Sequence, residues 1–448
     1  MTQKLTNLSR RKFLGTGAAG AGAATLNILP SHVWAQSPNE KINVAFIGSG
    51  GRGAANIGGT ANAGEMVYAL CDVDQRRAAG SVKKYPKANF YADWREMLDK
   101  EGDKIDAVAV STPDHLHAVA AMDAIKLGKH VYVEKPLTLT ISEARALRKE
   151  ANDRKLCTQM GNTGHAAEGA RLTNEWIKSG SIGTVEEVHC RTNRPIWPQD
   201  LVRPAAEEVP PWMNWDLWLG PAPDKPYSSK IAPFNWRGYL DYGTGALGDM
   251  GAHIIDHPVW ALGLGLPEKI EVEKADRKTS GSEKDSHPGS CIIHYYFAAR
   301  GDQPPVKLTW YDGQYKIPKA EGMLSDKNTP GNGCVYLGSK HIMQHGSHGG
   351  RPEIVDTNRA EFKAPDKTEE RSPGHYKEWF AAIREGKPAM AKSNFDVAVP
   401  LTETLLLGVI GSVLGPGTKF SWDPKKMTTG NADADQLVNH NYRDAWSL

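Results

Sequence analysis

Lys135 stands between Glu134 and Pro136 at the end of a short apolar run, residues 130–133. A lysine in this position faces a ligand crevice if the run is a strand of a parallel sheet, because ligands bind at the carboxyl ends of such strands. Upstream, the glycine-rich sequence GSGGRG at residues 48–53 follows another apolar run and is suited to hold a dinucleotide. Together, the two features predict that Lys135 takes part in chemistry next to a bound nucleotide.

A second group of acid–base side chains follows in GALGDMGAHIID, residues 245–256. On a helix, Asp249, His253 and Asp256 fall at positions i, i+4 and i+7, so all three project from one face. A histidine has a pKa near neutrality and is suited to move protons at physiological pH. The pattern therefore predicts a catalytic cluster on one helix.

A metal site and a purely structural buried network are alternative interpretations of this cluster, because His253, Asp249 and the adjacent His257 are acceptable ligands. Lys135 already supplies the positive charge that a catalytic metal would provide. The sequence therefore favours a site without a metal. A second histidine-rich piece, residues 341–348, contains glycine and serine and is interpreted as a flexible loop, with only weak indication of metal binding.

Residues 1–35 have the pattern of a twin-arginine export signal. Arg10 and Arg11 precede a weakly apolar Gly/Ala-rich run, and small residues near Ala35 suit a signal peptidase. We expect a periplasmic or secreted protein that is not in the membrane after processing. This route exports folded proteins, often with the cofactor already inserted, so a bound nucleotide would have to be retained tightly.

Composition excludes some classes of function. The 448 residues carry 54 Lys+Arg against 52 Asp+Glu, a net charge of +2, so no strong positive field favours nucleic acid or an anionic membrane surface. The length favours two or three domains. The five cysteines are widely spaced and contain no CxxC pair, which predicts buried thiols rather than a disulfide framework or a zinc site.

Strand and helix patterns alternate from residue 41 onward. Apolar runs at 42–47, 66–70, 107–110 and 130–133 are separated by helical patterns such as 94–98 and 118–127, which predicts a parallel sheet with crossover helices. Later strand-like runs, at 185–191, 270–273, 291–297 and 306–310, lie between long polar connections and predict a mostly antiparallel sheet with flanking helices, such as 376–384 and 401–413. The predicted class is α/β, with a signal at 1–35, a Rossmann domain at 36–160 and an α+β domain with a large open sheet at 161–448.

The glycine-rich turn and Asp72 specify the nucleotide. Gly48, Gly50 and Gly53 allow backbone N–H groups to approach a pyrophosphate, and the following helix terminus favours its charge. Asp72 ends the next strand, where a carboxylate accepts hydrogen bonds from ribose hydroxyls and repels a 2′-phosphate. The pattern predicts NAD rather than NADP.

The motifs GSGGRG, CDVD, STPDHLH, GKHVYVEKPLT and GALGDMGAHIID resemble the Gfo/Idh/MocA family of sugar and polyol oxidoreductases over nearly the whole mature chain. The resemblance implies a Rossmann domain followed by a domain with a large open sheet, and a cis peptide before Pro136. It also implies a homodimer or homotetramer. It places a further set of residues at the cofactor: Arg52, Thr112, Pro113, His117, Glu134, Lys135 and Asn162.

The resemblance also gives the cluster a reaction, the oxidation of a secondary alcohol by hydride transfer to NAD. His253 is assigned as the base, Lys135 as the group that polarises the oxygen, and Asp249 as the group that orients the imidazole or holds a hydroxyl. Flat rings and hydrogen-bond donors suit a saccharide or polyol. The predicted substrate contacts are Asp256, His165, Arg191, Trp236, Arg237 and Tyr242, with Arg194 and Trp197 as further candidates.

Three functions remain open from the sequence. The first is an exported NAD-dependent oxidoreductase acting on a ring hydroxyl of a saccharide or polyol. The second is a glycosidase that oxidises C3 transiently, eliminates the aglycone, adds water and returns the hydride. The third is a non-catalytic periplasmic sugar sensor, which would bind NAD and sugar without hydride transfer.

Overall fold

The computed structural model describes residues 40–325 and 327–448. The predicted export signal, residues 1–35, lies outside the described residues. The described chain contains two sheets, one of six strands and one of eight.

The first sheet has six strands in the order β3-β2-β1-β4-β5-β6, and every neighbouring pair is parallel. Its strands are β1 Asn43–Ile47, β2 Met66–Cys71, β3 Asn89–Tyr91, β4 Ala107–Val110, β5 His130–Val133 and β6 Thr158–Met160. The helices between them are α1 Arg52–Asn62, α2 Gln75–Lys84, α3 Trp94–Glu101, α4 Asp114–Lys126 and α5 Ile141–Asp153.

This order confirms the predicted Rossmann domain, because it is the strand order of a doubly wound dinucleotide-binding sheet. The order reverses between β1 and β4, so a crevice forms at the carboxyl ends of these two strands. β4 is buried along its whole length, as expected of a strand covered by helices on both faces. The two short outer strands, β3 and β6, have three residues each and were not predicted.

The second sheet has eight strands in the order β13-β12-β11-β7-β10-β9-β8-β14. Its strands are β7 Val185–Arg191, β8 Lys269–Asp276, β9 Ser290–Phe297, β10 Val306–Tyr311, β11 Gly333–Gly338, β12 Ile342–Gly346, β13 Glu353–Ile354 and β14 Lys419–Ser421. Only the pair of β7 and β10 is parallel, which confirms the prediction of a mostly antiparallel sheet. The helices here are α6 Glu168–Lys178, α7 Trp215–Leu219, α8 Gly245–Ile254, α9 Asp256–Leu262, α10 His375–Glu385, α11 Phe395–Leu414 and α12 Ala432–Gln436.

The prediction of a flexible loop at 341–348 was wrong. Residues 342–346 form β12, which pairs with β11 from Leu337 to Gly333. The sequence of β12 lacks the alternation of a half-buried strand. The strand forms through its pairing with β11, which the side-chain pattern does not reveal. The turn after β12 is consequently held in a defined place.

Late helices return to both sheets. Trp379 and Phe380 of α10 pack with Phe46 and Val44 of the first sheet. α11 is long and apolar enough to span a membrane, but 78% of its most apolar window is buried inside the protein. This burial identifies α11 as a core helix of the described chain.

All five cysteines are buried and free, as predicted. Cys190 and Cys334 are cross-strand neighbours on β7 and β11, and their sulfur atoms lie 3.4 Å apart. Burial raises the pKa of the Cys190 thiol well above its usual value. This sulfur is therefore a packing element of the sheet.

Candidate active site

The glycine-rich turn between β1 and α1 is too crowded for side chains. Gly48 has φ +85°, and a Cβ there would lie 2.6 Å from the carbonyl oxygen of Ser111. A Cβ on Gly53 would lie 1.9 Å from the carbonyl oxygen of Gly48. The turn therefore exposes backbone N–H groups at the start of α1, which is the arrangement that binds a pyrophosphate.

We expect Gly53→Ala to weaken nucleotide binding, because the added methyl group displaces the turn. Overpacking of this kind costs about 1–3 kcal/mol, and each 1.4 kcal/mol lost corresponds to roughly a tenfold weaker affinity. Titration of the purified apoprotein with NAD measures the change. The matched control is Gly58→Ala in the same helix, where a Cβ meets nothing within 4 Å. Equal affinities of the two variants would contradict this account of the turn.

Asp72 follows β2 and holds the same turn. Its Oδ2 accepts hydrogen bonds from the backbone N–H groups of Ser49, at 2.9 Å, and Gly50, at 3.1 Å. Burial raises the pKa of this carboxyl. Asp72 also lines the cavity described below, and its contact with ribose hydroxyls stays a prediction.

A cavity of about 400 Å³ runs from the glycine-rich turn to the carboxyl end of β5. Its walls come from both the Rossmann domain and the segment 194–237. The predicted site residues on its wall are Gly48, Gly50, Arg52, Asp72, Thr112, Pro113, Glu134, Lys135, Arg194, Trp197, Trp236, Arg237 and Asp249. The structure thus brings together the nucleotide turn and part of the predicted catalytic cluster.

Lys135 and Asp249 form a close ion pair inside this cavity. The Nζ of Lys135 lies 2.5 Å from Asp249 Oδ1, and both side chains are largely buried. Burial acts to raise the pKa of the Asp249 carboxyl, but the charges of Lys135 and Arg237 outweigh it and keep the pKa below its usual value. Asp249 is therefore ionised at neutral pH, and the Lys135 ammonium is held on the cavity wall. The peptide between Lys135 and Pro136 is cis, as the resemblance implied.

Arg237 links this pair to the start of α4. Its Nε lies 3.4 Å from Asp249 Oδ1, and its Nη1 donates to Asp114 Oδ1 at 2.8 Å. Thr244 holds the other oxygen of Asp114 through both its N–H and its hydroxyl. Sequence reasoning missed Asp114, although it stands in the quoted motif STPDHLH directly after Pro113.

Glu134 is anchored to the helix that follows the glycine-rich turn. Its Oε1 accepts from Arg52 Nε at 2.8 Å and from Asn56 Nδ2 at 3.0 Å. Burial acts to raise the pKa of Glu134, but Arg52 and Lys135 outweigh it, so the pKa is lowered. The strand-end sequence Glu134-Lys135 thus connects the nucleotide turn with the acid–base pair.

His253 is buried one helical turn after Asp249, and it is not among the residues that line the cavity. Burial, together with the positive charge of Lys135, lowers the pKa of this imidazole well below its usual value. His253 is consequently neutral at physiological pH, which is the form that accepts a proton. Its Nδ1 is buried and makes no hydrogen bond within the described residues.

His348 is a site residue that sequence reasoning missed. Its ring stacks on that of His253, with the centroids 3.9 Å apart, and its backbone N–H donates to the carbonyl oxygen of His253 at 3.0 Å. Gly349 fixes the same turn by donating to His257 Nε2 at 2.9 Å. His348 has φ +58°, a strained conformation for a side chain other than glycine. The HGSHGG sequence at 345–350 was the available signal, because glycines flank a histidine there.

We expect His348→Gly to move the acid limb of the pH–activity profile upward. Glycine adopts the positive φ without strain, while loss of the ring exposes His253 and removes one of the charges that depress its pKa. Since the neutral imidazole is the base, activity falls as pH drops through this pKa, so the variant loses activity at a higher pH than the wild type. The profile of kcat/KM against pH measures the shift.

The control for His348→Gly is Lys155→Gly. Lys155 is an exposed residue with φ +56° in the turn after α5, so the substitution relieves similar strain elsewhere. Identical profiles for His348→Gly and the wild type would show that the stacked ring does not affect the base.

Three of the predicted contact residues, His117, Arg191 and Tyr242, do not line the cavity. His117 is buried, and its ring nitrogens lie 2.8 Å from the carbonyl oxygen of Pro136 and 2.9 Å from that of Thr112, so it supports the strand ends instead of lining the cavity. Arg191 donates to the carbonyl oxygens of Tyr315 and Gly331. Tyr242 is fully buried in an aromatic cluster with Trp218 and His115. Residue type indicated possible contacts, but packing directs these side chains away from the cavity.

His165 and Asp256 pair with each other. His165 Nδ1 lies 2.9 Å from Asp256 Oδ2, and the His165 ring stacks on Trp260. Neither residue is on the cavity wall, because α8 ends at Ile254 and Asp256 begins a separate helix. The structure therefore places neither His165 nor Asp256 where it would contact a ligand in this cavity.

Four predicted site residues carry buried polar atoms that make no hydrogen bond within the described chain: Thr112 Oγ1, Asn162 Nδ2, Tyr242 Oη and His253 Nδ1. A buried polar atom without a partner costs free energy, so such atoms indicate sites where ligands bind. The glycine-rich turn leaves room for a pyrophosphate, and Asp72 stands where a ribose is expected. These residues fit a dinucleotide.

The fold and this cavity define a two-domain protein that combines a dinucleotide-binding Rossmann domain with acid–base residues from a second domain. Residues 42–162 match the model described as the oxidoreductase family, NAD-binding Rossmann fold, and residues 193–284 match the C-terminal alpha/beta domain of the same family. The chain belongs to the Gfo/Idh/MocA family, and its cofactor is NAD.

Curated relatives include sugar enzymes of two kinds. Levoglucosan dehydrogenase of Pseudarthrobacter phenanthrenivorans is 25% identical over 234 residues, 50% of this chain and 52% of the relative. The alpha-N-acetylgalactosaminidase of Shewanella oneidensis is 32% identical over 205 residues, 40% of this chain and 44% of the relative. The matched part thus spans about half the length of these relatives.

Solved structures share the fold over most of the chain. The WlbA dehydrogenase of Bordetella pertussis in complex with NADH and UDP-GlcNAcA matches with a TM-score of 0.61 and 16% identity, over 86% of this chain and 99% of that protein. Levoglucosan dehydrogenase in complex with NADH and levoglucosan matches with a TM-score of 0.55 and 18% identity, over 85% and 99%.

Proposed function

We propose that this protein is an exported NAD-dependent oxidoreductase that oxidises a ring hydroxyl of a saccharide or polyol and keeps its NAD bound. The observation that carries the proposal is the Lys135–Asp249 ion pair, because it lies on the wall of the cavity that the glycine-rich turn also lines. The dehydrogenase relative supports the reaction class.

Each residue has a role set by its surroundings. The Lys135 ammonium, held by ionised Asp249, stabilises negative charge on the substrate oxygen as its proton leaves. Neutral His253 accepts that proton. Bound NAD supplies a nicotinamide that takes the hydride from the carbon. Arg237 lies 3.4 Å from Asp249 and is itself paired with Asp114, so Lys135 is the cation that offsets the Asp249 charge next to the substrate.

The cavity wall supports a sugar or polyol as the substrate. The Arg237 guanidinium lies 4.2 Å from the ring centre of Trp236 and 5.6 Å from that of Trp197. A flat ring beside hydrogen-bond donors suits a ligand with apolar C–H faces and many hydroxyls. The named ligands of the structural relatives, levoglucosan and UDP-GlcNAcA, belong to this class.

Retention of NAD is supported by a segment that covers the nucleotide site, residues 194–244. At the adenosine end, Asn214 donates to the carbonyl oxygen of Val73, and Gln75 donates to that of Trp212. At the other end, His115 donates to the carbonyl oxygen of Tyr242. Because both ends are hydrogen-bonded to the Rossmann domain, release of a bound dinucleotide would require these contacts to open.

Export is supported by the twin-arginine pattern at Arg10 and Arg11. Fractionation of cells that express the full chain, with Arg10→Lys and Arg11→Lys combined in a second strain, tests it. We expect the wild type in the periplasm or medium and the variant in the cytoplasm. Equal distribution of the two proteins would contradict export by this route.

Redox-assisted glycoside hydrolysis is the second candidate, and the alpha-N-acetylgalactosaminidase relative favours it. Transient oxidation needs the same Lys135, His253 and NAD, and the hydride returns to the sugar. A retained cofactor suits this cycle, because it consumes no external nucleotide.

The deciding experiment incubates the purified NAD-loaded protein with a panel of glycosides and follows nicotinamide absorbance and released sugar together. Reduced nicotinamide or a keto-sugar without bond cleavage supports the oxidoreductase. Cleavage without net reduction supports the glycosidase. Binding with neither change is the outcome expected of a sensor and would overturn both enzymatic proposals. Sedimentation of the same sample tests the expected homodimer or homotetramer.

A further inference from the structure

Two large apolar side chains on the surface of the described chain are unusually exposed to water. Ile196 is 61% exposed and Phe234 is 56% exposed, the two highest values among the large hydrophobic residues described. Single exposed apolar residues are common, but these two line one and the same cavity.

Both residues are close in the chain to residues that lie near Lys135 and Asp249 on this cavity wall. Ile196 comes two residues after Arg194, and Phe234 comes three residues before Arg237, which contacts Asp249. The adenosine end is covered instead by Met213 of the same segment, whose bridge to Asp74 lies next to Asp72. Ile196 and Phe234 therefore belong to the part of the wall formed by the neighbours of Arg194 and Arg237.

The wall behind them is held in place. Arg237 is fixed by its ion pair with Asp114 and lies over the ring of Trp236. Trp236 follows Phe234 by two residues in the chain. Trp197 is buried, and its Nε1 donates to Gln199 Oε1 at 3.0 Å. Ile196 and Phe234 thus project from backbone whose neighbours are anchored.

Neither side chain has a polar atom that could bind a hydroxyl group. A sugar ring needs hydrogen-bond donors as well as an apolar surface, and Arg237 beside the Trp236 ring supplies both, whereas Ile196 and Phe234 supply no donor. An isoleucine and a phenylalanine instead gain free energy by removing apolar ligand surface from water. The chemistry next to the sugar position is therefore that of a site for an apolar group.

We propose that Ile196 and Phe234 form a subsite for an apolar aglycone, so that the substrates are glycosides carrying an aryl or alkyl group. This inference rests on the proposed function, because the sugar end of the substrate is located by Lys135. It applies to both the oxidoreductase and the glycosidase, since either acts on the sugar while the aglycone is attached.

The test uses glycosides that share one sugar and differ in the aglycone, for example methyl, octyl and phenyl glucosides and galactosides. We expect kcat/KM to rise about tenfold from methyl to phenyl or octyl, in line with burial of one apolar group. In the double variant Ile196→Ser/Phe234→Ser, this ratio should fall close to one. The control Leu127→Ser changes another exposed apolar residue, 49% exposed and absent from the cavity wall, and should keep the wild-type ratio.

A wild-type ratio near one, or an unchanged ratio in the double variant, would overturn the proposal. Sedimentation of the same proteins tests the alternative occupant, a second copy of this chain: if the double variant dissociates an oligomer while its ratio persists, the two residues belong to a subunit interface. Quenching of tryptophan fluorescence by the same glycosides gives their affinities without turnover. If no glycoside is oxidised or cleaved yet phenyl glycosides still bind more tightly than methyl glycosides, the proposed function fails and the subsite stands.

Discussion

Lys135→Ala should lower kcat by about a thousandfold or more, since loss of one acid–base or electrostatic group costs roughly 10²–10⁴ in rate. The ammonium is 2.5 Å from Asp249 and has no substitute on the cavity wall at that point, because Arg237 is committed to Asp114. Without it, negative charge on the substrate oxygen forms beside the Asp249 carboxylate. Steady-state kinetics with a glycoside that the wild type turns over measure the loss.

Two further measurements separate a chemical role of Lys135 from a structural one. A small primary amine added to Lys135→Ala should restore part of the activity, because it returns a positive charge to the cavity. The surface variant Lys149→Ala, which removes an exposed lysine paired with Asp153, should keep wild-type kinetics. If Lys135→Ala retained full turnover, the proposed mechanism would be wrong.

His253→Asn should lower kcat by about 10²–10⁴, the usual contribution of a general base. Asparagine keeps a polar side chain of similar size on α8 but cannot take up a proton at neutral pH. The acid limb of the pH profile, which follows the lowered pKa of His253, should disappear in the variant. The content of bound NAD should stay at the wild-type level, because His253 is not on the wall of the glycine-rich turn.

His189→Asn is the matched control for His253→Asn. His189 is also a buried histidine, but it lies on β7 with its Nδ1 3.2 Å from the Tyr311 hydroxyl and does not line the cavity. Its replacement should leave the kinetics and the pH profile unchanged. A His253 variant with normal kcat and an intact acid limb would assign the base to another group.

The Rossmann half of the molecule was predictable because its signals are local. β1, the glycine-rich turn and the acid after β2 follow one another in the chain, and steric crowding at Gly48 and Gly53 leaves little choice of residue. The sequence also placed Lys135 and Asp249 in one site, but it assigned Asp249 to the imidazole or to a hydroxyl, and the ion pair of Asp249 with Lys135 was not predicted.

Side-chain contacts between distant parts of the chain were not predictable. His348 reaches His253 only because β12 pairs with β11 and the following turn is hydrogen-bonded to α8 and α9. Arg191 and Tyr242 had suitable chemistry for sugar binding, but the side of the backbone on which each side chain lies is set by packing. No pattern in the sequence reveals the contact of His348 with His253 or the directions of the Arg191 and Tyr242 side chains.

The central claim is that a hydride moves from a ring carbon of a glycoside to NAD within the cavity that Lys135 lines. The most direct test supplies the NAD-loaded enzyme with a glycoside deuterated at the carbon to be oxidised, C3 in the hydrolytic cycle, and analyses nicotinamide and sugar by mass spectrometry at intervals within a single turnover. The account predicts deuterium on the bound nicotinamide, where it persists in net oxidation and is transient in the hydrolytic cycle. Turnover of the glycoside with no deuterium on the nicotinamide at any time, or complete loss of the label to solvent, would contradict it.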